Sequence, residues 1–252
     1  MKNARLEQIR EYIEKHGKAT YQELEELLPN VSNMTIRRDL TVLEEENVII
    51  RVRNGAYSVD EISKKTEEQF IHRFSYNVKE KKEIAEKTIK LIDENTCIFI
   101  DSGSTTLYFA KELPNINYYI VTNAINVATE LMRKNLPTVA LLGGDVSRNN
   151  LVTIGASTLD LLRRINIDTA IMTTTGFSLE NGFSCGAQGE ADIKSAVIEK
   201  ARKVIMLLDS SKVDKNMPYT FADLDSVDVL VVDKNFPKNI KEELEKRDIV
   251  VI

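Results

Sequence analysis

From Glu83 onward, apolar runs of strand length alternate with amphipathic stretches of helix length, and this alternation constrains the fold more than any other feature. The strand-like runs span 96–100, 118–121, 138–142, 169–173, 204–208, 229–232 and 249–252. Most are continuously apolar, the pattern of strands covered on both faces of a parallel sheet. Helical segments at 106–113, 125–133, 157–165, 190–201 and 240–246 fall between them. The expected architecture is therefore an α/β domain with a mostly parallel sheet. In such sheets ligands bind beyond the carboxyl ends of strands, which makes the loops after each run the candidate site.

The chain has 252 residues, 42% of them hydrophobic and 29% charged, enough for one large domain or two unequal ones. Its net charge of −5 argues against a general attraction to polyanions. No stretch approaches the roughly 18 consecutive apolar residues of a membrane helix, and residues 1–10 carry no apolar core like that of a signal peptide. Cys97 and Cys185 lie far apart without CxxC spacing, and His16 and His72 are the only histidines, so neither a zinc site nor a disulfide framework is expected. A reduced, cytoplasmic protein without metal or cofactor follows.

Residues 1–58 have a different pattern. Leu6, Ile9 and Ile13 recur at helical spacing up to Gly17. Thr20 and Glu23 form a capping box for a second helix, with Leu24, Leu27 and Leu28 as its apolar face. Pro29-Asn30 breaks that helix, and Ser32 caps a third through Met34, Ile36, Leu40 and Leu43. Two helices joined by a tight turn with another packed behind make a helix-turn-helix. Ser32, Asn33, Thr35, Arg37 and Arg38, at the start of the third helix, suit base edges and phosphates in a major groove. Asp39 would repel phosphate and is expected to serve as an internal partner. Asn54-Gly55 between apolar flanks predicts a hairpin wing, from which Arg51 and Arg53 would reach the DNA backbone or minor groove.

In the larger region, Asp101, Ser102, Gly103, Ser104, Thr105 and Thr106 follow the first strand-like run and open a helical segment. Backbone N–H groups and hydroxyls there can hold a phosphate, although an ordinary Ser/Thr-capped helix start fits the spacing equally well. Asn123 follows the second run, Gly143 and Gly144 the third, and Lys212 the fifth, while Lys194 lies on the helix that starts near Glu190. Hydroxyls, a carboxylate and lysines at one sheet edge suit a phosphorylated sugar or polyol.

Two sets of motifs resemble the DeoR family of bacterial transcriptional repressors. The first is Arg5-x3-Ile9-x3-Ile13, Ser32-Asn-Met-Thr-Ile-Arg-Arg-Asp-Leu40 and Arg51-Val-Arg-Asn-Gly-Ala56. The second is Ile100-Asp-Ser-Gly-Ser-Thr-Thr106, Val121-Thr-Asn123, Leu141-Leu-Gly-Gly144, Glu190-x3-Lys194 and Leu208-Asp-Ser-Ser-Lys212. Many members carry His-Gly in the wing where this chain has Arg53-Asn54. The resemblance implies a winged helix-turn-helix joined to an effector domain related in fold to sugar-phosphate isomerases. It also implies double-stranded operator DNA, a phosphorylated sugar effector and a homo-oligomer, dimer or tetramer, as partners. By this resemblance, residues 101–106, Asn123, Gly143, Gly144, Lys194 and Lys212 are the effector contacts.

The expected organisation is a DNA-binding domain at 1–58, a polar linker at 59–78 and a sensor domain at 79–252. The expected function is repression of a carbohydrate-metabolism operon, relieved by a sugar phosphate. The rival is a sugar-phosphate isomerase with Glu190 or Asp101 as base near Lys212; the absence of histidine from the candidate loops and the DNA reader argue against an enzyme. Residues 1–58 hold 9 basic and 10 acidic side chains, but Val48 to Ser58 holds two arginines and no acid. Weak non-specific DNA binding and reliance on specific, oligomerised contacts follow.

Overall fold

In the computed structural model, which describes residues 2–46, 48–52, 54–58 and 70–252, the chain divides into two units, 1–68 and 69–252. In the first unit, α1 (Lys2–His16) stops at Gly17, whose φ of +74° is a helix-ending conformation that glycine adopts without strain. β1 (Lys18–Thr20) leads into α2 (Tyr21–Leu27) through the capping box. The Thr20 N–H donates to Glu23 Oε2 at 2.7 Å and the Glu23 N–H donates to Thr20 Oγ1 at 3.2 Å. Ser32 caps α3 (Asn33–Glu45), its Oγ accepting from the Thr35 N–H at 3.3 Å. β2 (Ile49–Val52) and β3 (Gly55–Ser58) form the wing, and β1 pairs with β3 as a third strand. At three residues β1 is too short to show a period in the sequence.

Val52 pairs with Gly55, so Gly55 lies inside the ladder rather than in the turn. Only glycine fits there, because a Cβ would come within 2.0 Å of the Ala19 carbonyl oxygen. Ile9, Ile13, Leu24, Ile36, Leu40, Leu43 and Ile49 form the core of the unit. Leu27 and Met34, expected on apolar faces, are instead exposed. Leu24 and Leu28, four apart, occupy the buried side of α2. Met34 sits about 200° round α3 from Ile36 and so shares the outer face with Arg37 and Arg38.

The second unit opens with α4 (Phe70–Ser75) and α5 (Val78–Ile89). Residues 70–75 fall in the stretch expected to be a linker. They are helical because Phe70 is buried and Phe74 stacks on Tyr108 with ring centroids 5.0 Å apart. Next come β4 (Cys97–Ile100), α6 (Ser104–Glu112), β5 (Tyr119–Thr122), α7 (Ile125–Leu131) and β6 (Thr138–Leu141). A hairpin, β7 (Asp145–Ser147) and β8 (Val152–Ile154), precedes α8 (Ala156–Leu162) and β9 (Thr169–Thr173). β10 (Gly176–Ser178), β11 (Gly182–Cys185), α9 (Gln188–Lys200), β12 (Lys203–Leu208), β13 (Tyr219–Ala222), β14 (Val229–Val232), α10 (Lys238–Glu245) and β15 (Val250–Val251) complete it.

The main sheet has seven strands in the order β15-β14-β12-β9-β4-β5-β6, and every pairing is parallel. Alternate residues feed two cores: Ile98 and Ile100 pack with α5, α6 and α7, whereas Phe99 packs with α9 and α10. Burial on both faces explains the unbroken apolar runs. The short strands β10, β11 and β13 form a separate antiparallel sheet, with Phe177 and Phe183 in the second core. No helix among the described residues is long and apolar enough to cross a membrane.

The capping box gives a direct test of the first unit. Thr20→Ala should lower its stability by about 1 kcal/mol in denaturant melts. The Thr20 N–H, which alanine would keep, and then the Thr20 hydroxyl, which donates to Glu23 Oε2 at 2.8 Å, hold the Glu23 carboxyl below its ordinary value of 4.5. The hydroxyl's share is present above pH 4.5 and is lost as pH falls through the lower folded value, so the gap between wild type and variant should narrow in acid.

Candidate functional site

The start of α3 presents a preorganised polar face. Arg37 Nε donates to Asn33 Oδ1 at 2.7 Å, and its guanidinium lies 4.1 Å from the Tyr21 ring centroid. Asn33 Nδ2 donates to Glu25 Oε1 at 2.5 Å, which ties the recognition helix to α2. Arg38 is exposed and makes no ion pair among the described residues. Asp39 is buried and takes a two-pronged ion pair from Arg5 of α1, so the internal partner expected for it is an arginine outside the recognition helix. On the wing, Arg51 Nε donates to Glu44 Oε2 at 2.6 Å and a terminal guanidinium nitrogen donates to Thr41 Oγ1 at 2.9 Å. Arg53 lies outside the described residues. Met34, 74% exposed beside Arg37 and Arg38, belongs to this face, although apolar periodicity assigned it to the core.

In the second unit the strand order locates the site. The chain leaves β4 outward through β5 and β6, and leaves β9 outward through β12, β14 and β15. The winding therefore reverses between the neighbours β4 and β9, the place where open parallel sheets form a crevice. Asp101 follows β4 and Thr173 ends β9. One oxygen of Asp101, Oδ2, accepts the Thr173 N–H at 2.9 Å, the Thr173 hydroxyl at 2.9 Å and the Lys194 ammonium of α9. Lys194 also donates to the Thr173 carbonyl at 3.0 Å, which leaves one ammonium proton for another partner. Lys194 is buried. Burial works against its charge, but Asp101 and the neighbouring Cys185 and Glu190 outweigh that and hold its pKa above the ordinary lysine value.

Gly103 lies against this cluster: a Cβ there would come within 2.5 Å of Thr173 Oγ1. It is also the N-cap of α6 and provides no side-chain cap. Thr106 Oγ1 turns back to the Gly103 carbonyl at 3.0 Å, whereas the hydroxyls of Ser102, Ser104 and Thr105 have no hydrogen-bond partner among the described residues. Asn123, after β5, donates from Nδ2 to the Thr153 carbonyl at 3.1 Å; its buried Oδ1 accepts nothing.

Asp101, Gly103 and Lys194 thus come together around Thr173, with Asn123 one strand over. Gly143 and Gly144 follow β6, about 10 Å of sheet width beyond β4. Gly144 is required for packing there, since at φ +146° a Cβ would come within 2.1 Å of Thr158 Oγ1. Lys212, half buried, lies on the short turn Ser210–Lys212 after β12, on the other side of β9.

Comparison with known proteins agrees with this two-part geometry. The DeoR-like helix-turn-helix domain matches residues 5–62, and the DeoR C terminal sensor domain matches residues 76–234. The chain belongs to the DeoR family.

The HTH-type transcriptional repressor GlcR of Bacillus subtilis is 32% identical over 234 residues, covering 91% of this chain and 88% of that protein. The HTH-type transcriptional regulator IolR of the same organism is 33% identical, covering 92% and 91%. The L-fucose operon activator of Haemophilus influenzae is 29% identical, covering 99% of each. Among solved structures, ribose 5-phosphate isomerase A of Methanocaldococcus jannaschii aligns with a TM-score of 0.41 and 18% identity, over 54% of this chain and about half, 55%, of that one. This DeoR-family chain is therefore a DNA-binding transcriptional regulator: a winged helix-turn-helix followed by an α/β sensor domain.

Thr173 and Asn150 are the residues of this candidate site that sequence reasoning missed. Thr173 closes an apolar run, and nothing in the run shows that β9 adjoins β4. Asn150 lies between β7 and β8, in a stretch with no period, and donates from Nδ2 to Glu190 Oε1 at 2.6 Å. The Asp101–Lys194 pair predicts its own test. Asp101→Asn strands a buried ammonium, which should cost about 3–5 kcal/mol in urea unfolding. Asp101→Asn combined with Lys194→Met should recover most of that loss.

Proposed function

We propose that this regulator represses a carbohydrate-metabolism operon in the cytoplasm. It binds operator DNA as a homo-oligomer and releases it when a phosphorylated sugar occupies the carboxyl edge of the sensor sheet. The observation that carries the sensing half is the group of unpartnered polar atoms beside the switch point: the hydroxyls of Ser102, Ser104 and Thr105, and Asn123 Oδ1. The hydroxyls and the first-turn N–H groups of α6 are donors suited to phosphate oxygens. Asn123 Oδ1 is an acceptor and suits a sugar hydroxyl. The remaining proton of Lys194 and the charge of Lys212 add attraction for the anion, and Gly143 and Gly144 form the outer border of the contact set. The name of the L-fucose operon activator supports a sugar-linked role, and that of the transcriptional repressor GlcR supports repression.

On DNA, Ser32, Asn33, Thr35, Arg37 and Arg38 read the major groove, with Arg51 and Arg53 on the backbone or minor groove. Met34 supplies an apolar contact of the kind a thymine methyl accepts. The sensor domain binds its ligand without turning it over: of the two carboxylates that could serve as a base, Asp101 is committed to Thr173 and to the Lys194 ammonium, and Glu190 to the Asn150 amide.

The test is operator release in gel shifts on a DNA site selected by the protein from a random library, screened against aldose and ketose phosphates. One or more should release the DNA, and Lys212→Ala should bind the operator normally while requiring at least tenfold more ligand. Failure of every sugar phosphate, or turnover of one, would refute this reading. Arg38→Ala should weaken operator binding and reduce the salt slope by about one, with effector binding unchanged.

A further inference from the structure

A line of buried polar side chains leads from the Asp101–Lys194 cluster to the helix that opens the sensor unit, joined by one helical turn at its first step and by hydrogen bonds beyond it. Glu190 precedes Lys194 by one turn on α9, and both side chains are buried. Glu190 Oε1 accepts from Asn150 Nδ2 at 2.6 Å, and the other end of the same amide, Oδ1, accepts from the Arg73 guanidinium of α4. Asn150 is 3% exposed, and its orientation is fixed because a carboxylate needs the amide N–H and a guanidinium needs the amide oxygen. A second tie runs in parallel: the Phe70 N–H of α4 donates to the Asn149 carbonyl at 3.0 Å. The Lys81 ammonium of α5 donates to the Arg73 and Tyr76 carbonyls and closes the far end of α4.

Helix α4 has six residues, too few to be stable on its own. Its seating therefore depends on these ties together with the burial of Phe70 and the Phe74–Tyr108 stack, and short elements held by so few contacts are the ones that open locally at low cost. It is also the first described element after residues 59–69, the segment through which the sensor unit joins the DNA-reading unit in sequence.

We propose that Asn150 is the coupling residue of this regulator, linking the Asp101–Lys194 site through Glu190 to Arg73, so that a change at the site is read as a change in the seating of α4. This rests on the effector reading for its biological meaning, but the link itself is a property of the protein without ligand. A ligand that draws Lys194 toward an anion would alter the field at Glu190 one turn away and hence the Asn150 bond. Hydrogen bonds join Glu190, Asn150 and Arg73, and the step from Lys194 to Glu190 is electrostatic across one helical turn; non-additivity is what establishes coupling along such a line.

The test is amide exchange at residues 70–75 and 101–106 in the full-length protein without added sugar phosphate. It compares wild type, Lys194→Met, Asn150→Asp and the double variant. Asn150→Asp keeps the acceptor for Arg73 but turns an anion toward Glu190. Lys194→Met, which touches no α4 residue, should raise exchange at 70–75 about tenfold. In the Asn150→Asp background, where α4 already exchanges fast, the same substitution should add nothing there while still raising exchange at 101–106. Exchange at 70–75 that stays at the wild-type level in Lys194→Met, or effects that simply add, would overturn the proposal.

If Lys194→Met does not fold, Glu190→Gln serves instead. It keeps the acceptor for Asn150, removes its charge, and should raise exchange at 70–75 about threefold; unchanged exchange there would equally overturn the link. A failed screen of sugar phosphates would sink the effector reading and leave these results standing. Release of operator by one sugar phosphate equally in wild type and Asn150→Asp would do the opposite.

Discussion

Three donors meet one oxygen of Asp101, and the shape of the carboxyl edge depends on that convergence. The carboxylate follows β4, two of its donors belong to the last residue of β9, and the third reaches in from α9. A buried pair of this kind is weak evidence for net stability, because desolvating both charges offsets much of their attraction. Its effect is on geometry: the ends of two neighbouring strands and a helix on one face are held in a single arrangement. Gly103 follows from it, since the loop passes so close to Thr173 that no side chain fits. The loop then enters α6 with hydroxyls and N–H groups left unengaged.

The DNA-reading unit manages its charges differently. Within residues 1–58 the acids outnumber the bases by one, yet three of the ten are spent internally on arginines: Asp39 on Arg5, Glu46 on Arg10, and Glu44 on Arg51. Asp39 is buried, so its charge is withheld from the outer face of α3. The Glu44–Arg51 pair is more exposed and of correspondingly smaller energetic weight, so Arg51 can exchange a carboxylate for a phosphate. Arg37 is braced by Asn33 and Tyr21 in the protein alone, which in the proposed reading reduces the side-chain entropy lost when it meets DNA. Net charge is a poor guide to such a surface; placement decides.

The sequence was most informative where one element buries one regular face. The inner strands β14, β12, β9, β4 and β5 of the main sheet appear as apolar runs because both faces are covered, and the capping residues Thr20 and Ser32 mark helix starts because their side chains bond the backbone a few residues on. Met34 was misread because one apolar residue in a first turn cannot be assigned to a face without its neighbours. Strands β7, β8, β10, β11 and β13 have three or four residues each and no room for a period. The candidate loops were legible as loops, but strand order was not. Periodicity reports burial, not adjacency, so the union of Asp101, Thr173 and Lys194 came only with the fold. Asn150 and Arg73 were hidden for the same reason: their partners are 40 and 77 positions away.

In the proposed reading, the same arrangement determines which atoms can carry the signal. A ligand shifts a two-state equilibrium only by its difference in affinity for the two states. Groups already satisfied in the ligand-free protein, such as Asp101 Oδ2 with its three donors, contribute little to that difference, because binding must first undo what they have. Unengaged groups contribute in full. The hydroxyls of Ser102, Ser104 and Thr105 and the acceptor of Asn123 number four, each worth about 1 kcal/mol as a new hydrogen bond. Their sum is comparable to the 1–3 kcal/mol typical of coupling between sites. The Asp101 end of the buried pair then acts as the frame against which the unengaged groups are counted, and sensitivity to a ligand resides in the loop it holds and in the one ammonium proton that Lys194 has left over.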